Sequence, residues 1–121
     1  MEHLRLKPVI WIGSARRDFR AMPTGVKSDM GYALYVAQQG EKHRNAKPLK
    51  GFGGAGVVEI VTDYRGDTFR CIYTIRIAGS VYVLHVFQKK SKTGRETPKI
   101  DKALIEQRLR EAERIAKGEQ A

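Results

Sequence analysis

The apolar positions run along the chain in two periods. Pro8-Val9-Ile10-Trp11-Ile12 is a short apolar run that opens on a proline, where a missing N–H costs a strand least, and Gly13-Ser14 ends it. Ser14 predicts the cap of a helix from Ala15 to about Met22, which Pro23-Thr24-Gly25 breaks. Val26, Met30, Leu34 and Ala37 then recur at helical spacing and predict a second helix to Gln39, with Gly40 suited to the left-handed residue after its end. Glu41 to Gly56 is polar and basic, then glycine-rich, and reads as a loop. Its glycines lack the following Lys-Ser or Lys-Thr and the following helix that a nucleotide loop needs. Beyond Gly56 the period falls to two. Val57 to Asp63, Phe69 to Ile77 and Val81 to Gln88 read as strands joined by turns at Arg65-Gly66-Asp67 and Ala78-Gly79-Ser80, an antiparallel meander.

Alternation divides the middle strand into a buried side (Phe69, Cys71, Tyr73, Ile75, Ile77) and a polar, cationic side (Arg70, Ile72, Thr74, Arg76). It divides the last strand into Tyr82, Leu84 and Val86 against Val83, His85, Phe87 and Lys89. Thr97 as cap and Pro98 at the first position start a final helix. Ile100, Leu104, Ile105, Leu109, Ala112 and Ala116 form its apolar stripe, and Arg108, Arg110, Arg114 and Lys117 put positive charge near its C-terminal end. The fold class expected is α+β: a strand, a helical hairpin, a three-stranded meander and a C-terminal helix in one domain over residues 1–121.

A chain of 121 residues buries roughly two thirds of its unfolded surface in one core. The longest run free of formal charge, Ile77 to Gln88, is too short to span a bilayer, and the apolar run Val9 to Ile12 is shorter than a signal-peptide core. A single cysteine, Cys71, excludes a disulfide framework and a multi-cysteine zinc site. A cytoplasmic basic domain is the expectation. Lysine and arginine number 23 against 13 acidic residues, a formal charge of +10. Ten basic and four acidic residues fall in 1–56, seven and four in 57–96, six and five in 97–121, so the excess is not a basic tail. A field of this sign attracts polyanions and speeds their encounter.

No paired-histidine metal motif, nucleophile elbow or marked carboxylate pair occurs, so neither a metal nor a cofactor is expected. Adjacent strands do carry Arg70, Arg76, Lys89, Lys90, Tyr73 and His85. Such residues suit RNA cleavage by attack of the 2′-hydroxyl on the neighbouring phosphate. That reaction needs a proton acceptor, a proton donor and cations for the added charge on phosphorus. Histidine titrates near neutrality, and arginine grips phosphate with two hydrogen bonds. Each residue also has an ordinary structural reading: Tyr73 as core, lysines that protect a strand edge, arginines that solvate a sheet.

The order of elements resembles the RelE/ParE toxin superfamily, and more narrowly its phage-related, HigB-like branch. The matching words are Lys47-Pro48-Leu49-Lys50-Gly51, the run from Asp63 to Tyr73, the run Val81 to Lys92 with its Phe-Gln-Lys-Lys-Ser-Lys ending, and Thr97-Pro98. The likeness extends from about Trp11 to Ile115. It implies a RelE-like toxin of a type II toxin–antitoxin pair, a ribosome-dependent, metal-independent mRNA endonuclease. Its implied partners are the ribosome, mRNA and a helix-turn-helix antitoxin held in a hetero-oligomer; no membrane is implied. On this resemblance Arg70 matches the arginine at the scissile phosphate, and Lys89 and Lys90 match late-strand basic residues that stabilise charge or donate a proton. His85 lies near the site without a counterpart. RelE carries lysines on the first meander strand, where this chain has Glu59 and Thr62, and a tyrosine after the last strand, where this chain has Ser91, Lys92, Thr93 and Gly94. The general acid and base are therefore left open.

The expected catalytic residues are Arg70, Lys89, Lys90 and His85, with Lys47, Lys50, Arg65, Arg76 and Lys92 contacting RNA. Two alternatives stand beside this reading. One is a non-nuclease toxin of the same fold that poisons DNA gyrase, as in the ParE branch. The other is a basic phage protein that binds nucleic acid without cutting it, which strong salt-dependent binding without cleavage identifies.

Overall fold

A computed structural model describes residues 5–53, 56–77, 79–89 and 97–118. Its elements are β1 (Val9–Trp11), α1 (Ala15–Arg20), α2 (Thr24–Gln38), β2 (Ala46–Pro48), β3 (Val57–Tyr64), β4 (Asp67–Thr74), β5 (Val81–Lys89) and α3 (Lys99–Ala116). The fold is α+β, with one five-stranded sheet ordered β1-β5-β4-β3-β2. β1 runs parallel to β5, and the other neighbours are antiparallel. The meander is β3-β4-β5. The turn Arg65-Gly66 closes its first hairpin with both residues at positive φ, the twist that suits a two-residue connection.

The sheet has two buried faces. α1 and α2 cover one, where Val26, Met30, Ala33 and Leu34 meet Ile60, Phe69, Cys71, Tyr73 and Val83. α3 covers the other, where Ile105, Leu109 and Ala112 meet Ile72, Leu84 and Phe87. The polar, cationic side of the middle strand is therefore covered as well. Arg70, Ile72 and Thr74 are all buried, because the apolar stripe of α3 needs a surface to cover and this is the one left.

Four expectations change. The loop from Glu41 contains β2, whose three residues pair with β3; one proline, one lysine and one alanine carry no strand signal of their own. A bulge interrupts β5: Ile72 opposes His85 while Tyr73 opposes Val83, so Leu84 is an extra residue. Beyond the bulge the alternation flips. Tyr82, Leu84, His85 and Phe87 pack toward α3, and Val81, Val83 and Val86 toward α2. Thr97 does not cap α3. Pro98 holds that position without a side-chain hydrogen bond, and the Thr97 hydroxyl serves Arg70 instead. Within α3, Ile100 is 84% exposed while Arg108 turns inward. No helix among the described residues is long and apolar enough to cross a membrane.

Candidate functional site

Strand parity gathers charge on the α3 side of the sheet. Lys47 on β2 opposes Glu59 on β3, Val61 opposes Arg70 on β4, and Thr68 opposes Lys89 on β5. All four charged residues therefore point to one face. Arg70 Nη1 lies 3.2 Å from Glu59 Oε2, and Lys47 Nζ lies 3.7 Å from Glu59 Oε1. Arg70 Nη1 also donates to Thr97 Oγ1 at 3.3 Å. Arg70 and Glu59 are each 5% exposed. Two charges are removed from water only when each holds the other, and losing either partner of such a pair costs about 3–5 kcal/mol. Burial lowers the pKa of Lys89; the nearby charge of Arg70 lowers it further, Glu59 opposes that, and Lys47 adds to it. A lysine so placed gives up its proton more readily than one in water.

His85 stands on the same face, where the bulge brings it opposite Ile72. Its Nε2 lies 2.7 Å from Asp101 Oδ1 in the first turn of α3, and its ring stacks on Phe87 at 4.4 Å. An ionised carboxylate only accepts, so Nε2 carries the proton. Nδ1, buried and with no hydrogen-bond partner among the described residues, keeps the lone pair. Burial lowers the His85 pKa; the hydrogen bond and charge of Asp101 oppose this, Arg108 adds to it, and Asp18 opposes it. A histidine held neutral by the fold binds its proton better when unfolded. Stability is then complete above the unfolded value near 6.5 and declines as pH falls from there toward the lower folded pKa. Urea unfolding at pH 7.5 and 5.5 should show this decline, and His85→Gln should reduce its slope. Equal slopes in the two proteins would exclude the effect.

Beside the Glu59–Arg70 pair a cleft of about 370 Å³ opens between the β2–β3 connection and the start of α3. Lys47, Lys50 and Gly51 line one wall, Thr97 and Lys102 the other, and Glu59 reaches it from the sheet. Among the described residues no group of three or more His, Cys, Asp or Glu side chains gathers as a metal site would require. Cys71 is fully buried on the opposite face and its thiol is pushed up to about 12, which leaves it inert; Tyr73, beside it, also rises to about 12 by burial.

Of the residues expected from the sequence, Arg70, Lys89, Lys47 and Lys50 converge on this region, with His85 on the same sheet face. Arg65 is apart at the β3–β4 turn, its guanidinium 5.2 Å from the Tyr64 ring. Arg76 lies past the other end of β4, on a smaller hollow with Phe52 and Val57. It is six positions along the chain from Arg70, roughly 20 Å of extended chain. Lys90 and Lys92 lie outside the described residues. The sequence reading did not mention Asp101 or Lys102, and it read Glu59 only as a departure from the family pattern and Thr97 only as a helix cap and part of the family likeness. Glu59 shares parity with Lys47 only once β2 is paired. Asp101 and Lys102 sit on a helix that no local signal ties to this face.

The family model of the phage-derived, Gp49-like proteins (DUF891) matches residues 17–110. No curated protein matches the chain. Among solved structures, a chain of the toxin–antitoxin complex RelBE2 from Mycobacterium tuberculosis is similar at 23% identity with a TM-score of 0.48, over 75% of this chain and 100% of that one.

Proposed function

Since the chain belongs to the phage-derived Gp49-like family, a family of RelE/HigB-type toxins, we propose that it is the toxin of a toxin–antitoxin pair and cuts mRNA on the ribosome. The observation that supports this reading best is the buried Arg70–Glu59 pair with Lys47 and Lys89 beside it. Cleavage by the 2′-hydroxyl needs a proton acceptor near a cationic phosphate grip, and this cluster holds one carboxylate among three cations. Arg70 grips the scissile phosphate, displacing its contact with Glu59. Glu59, freed of that contact, takes the proton from the 2′-hydroxyl. Lys89 stabilises the charge on phosphorus and returns a proton to the leaving 5′-oxygen, the role its lowered pKa suits. Lys90, the next residue in the sequence, adds charge, and Lys47, Lys50, Arg65, Arg76 and Lys92 hold RNA. His85, fixed by Asp101 on the same sheet face, is a second proton-transfer group. A helix-turn-helix antitoxin and the ribosome are the partners in this reading, and the cytoplasm its location.

The test adds purified protein to ribosomes programmed with a defined message, and to the message alone, and maps new 5′ ends. Cuts on the ribosome and none in free message are expected. Growth arrest with intact messages on and off ribosomes overturns the nuclease reading. A DNA-damage response in the same cells would identify the gyrase-poison alternative.

A further inference from the structure

The cleft beside Arg70 has a chemistry that cleavage alone does not use. Three lysines reach it from three separate elements: Lys47 from β2, Lys50 from the connection that follows, and Lys102 from α3. Lys50 and Lys102 have no acidic partner within 4.0 Å among the described residues. Glu59 offsets Lys47; Lys50 and Lys102 are two like charges on one hollow, and an anion between them removes their repulsion.

The loop is shaped to hold Lys102 there. Gly51 has φ +92°, and a Cβ on it would lie 2.7 Å from Lys102 Nζ. The missing side chain is the space the ammonium occupies, so the long side chain from α3 reaches across the mouth to the opposite wall. At about 370 Å³ the cleft is at the small end of ligand pockets, the scale of one nucleotide rather than a duplex. Its position sets which nucleotide. Glu59 contacts Arg70 through one oxygen and Lys47 through the other, so the lysine wall begins one carboxylate away from the arginine grip.

We infer that this cleft is a phosphate-binding subsite for the RNA nucleotide next to the one gripped by Arg70, with Lys102 and Lys50 as its ligands. It rests on the nuclease reading above for its substrate and extends it to a second phosphate. Lys102 is a positioning residue: it holds the strand in register and takes no part in bond breaking. One phosphate at Arg70 and the next at Lys50 and Lys102 fix the line of the strand across the sheet.

Binding separates this inference from cleavage. The probe is a fluorescent trinucleotide with 2′-O-methyl riboses, which presents phosphates and has no 2′-hydroxyl to react. Its anisotropy is titrated against wild type, Lys102→Ala, Lys102→Arg and Lys50→Ala over a range of salt. Each alanine variant is expected to weaken binding about fivefold and to lower the log–log salt slope by about 0.7, the contribution of one phosphate contact on a single strand. Lys102→Arg restores both. Alanine variants with wild-type affinity and slope overturn the subsite, even if ribosome-dependent cutting is observed. A free 5′-nucleoside monophosphate that binds as tightly as the trinucleotide also overturns it, because the cleft then serves a free nucleotide. Loss of one phosphate contact in both alanine variants supports the subsite even where no message is cut, the result that would defeat the nuclease reading alone.

Discussion

Arg70→Ala is expected to lower cleavage of ribosome-bound message by about 10²–10³-fold, the usual loss when a placed charge donor is removed from a transition state. The same substitution also leaves Glu59 buried with Lys47 as its remaining ion-pair partner in the cluster. Removing one member of a buried pair costs about 3–5 kcal/mol, so part of the lost activity could be lost protein. Arg70→Lys separates the two. Lysine restores a positive charge toward Glu59 but offers a point charge where arginine offers a planar fork. The thermal midpoint of Arg70→Lys should recover most of the alanine loss, while its cleavage rate stays well below wild type. A lysine variant that is stable and cuts at the full rate would mean that Arg70 serves the fold and not the phosphate. The readout is new 5′ ends per folded toxin, with the folded fraction taken from the unfolding curve of each variant.

The legibility of this cluster was uneven for a physical reason. Period-two alternation identified Arg70 and Arg76 as one side of a strand, and the structure keeps them on β4 and just beyond it. Alternation says which residues share a face; it does not say what covers that face. The apolar stripe of α3 was visible, with Ile105, Leu109 and Ala112 all buried as expected. Which side of the sheet it covers depends on how the chain returns after β5, and that is not a local property. The covering helix converts an exposed arginine into a buried, paired one and brings Thr97 and Asp101 to the site. The bulge was illegible for a related reason. Val-Tyr-Val-Leu-His-Val-Phe is an almost continuous apolar run, in which no break in period two can show, and no glycine marks the extra residue. A strand reading without the bulge puts Leu84 and His85 on opposite faces, whereas both turn toward α3.

Arg108 supports that bulge, and its loss should be the most damaging change outside the charged cluster. An extra residue in a strand leaves backbone groups outside the ladder. The carbonyl of Leu84 is one of them, and Arg108 Nη1 donates to it at 2.9 Å. Arg108 Nη2 donates to Ser14 Oγ at 2.8 Å, and that hydroxyl donates to Asp18 Oδ2 at 2.7 Å. One buried guanidinium thus ties α3 to the bulge of β5 and to the start of α1. Arg108→Met keeps an unbranched apolar stem and removes every donor. A hydrogen bond from a charged group is worth about 1.5–3 kcal/mol, and a buried carbonyl left without a partner adds to the loss, so a destabilisation of about 3 kcal/mol is expected. Arg110→Met, exposed on the same helix, should stay within about 0.5 kcal/mol of wild type. The pair of variants sets packing at the bulge against general loss of positive charge. A second readout is specific to the site. Because the charge of Arg108 lowers the His85 pKa, Arg108→Met should raise it, and Arg110→Met should leave it nearly unchanged, as followed by NMR titration of the ring protons. Equal effects of the two variants on stability and on His85 would show that the bulge stands without its arginine. The larger effect from Arg108 would mean that a residue which reads as a helix-end charge instead holds His85 on the face it shares with Arg70.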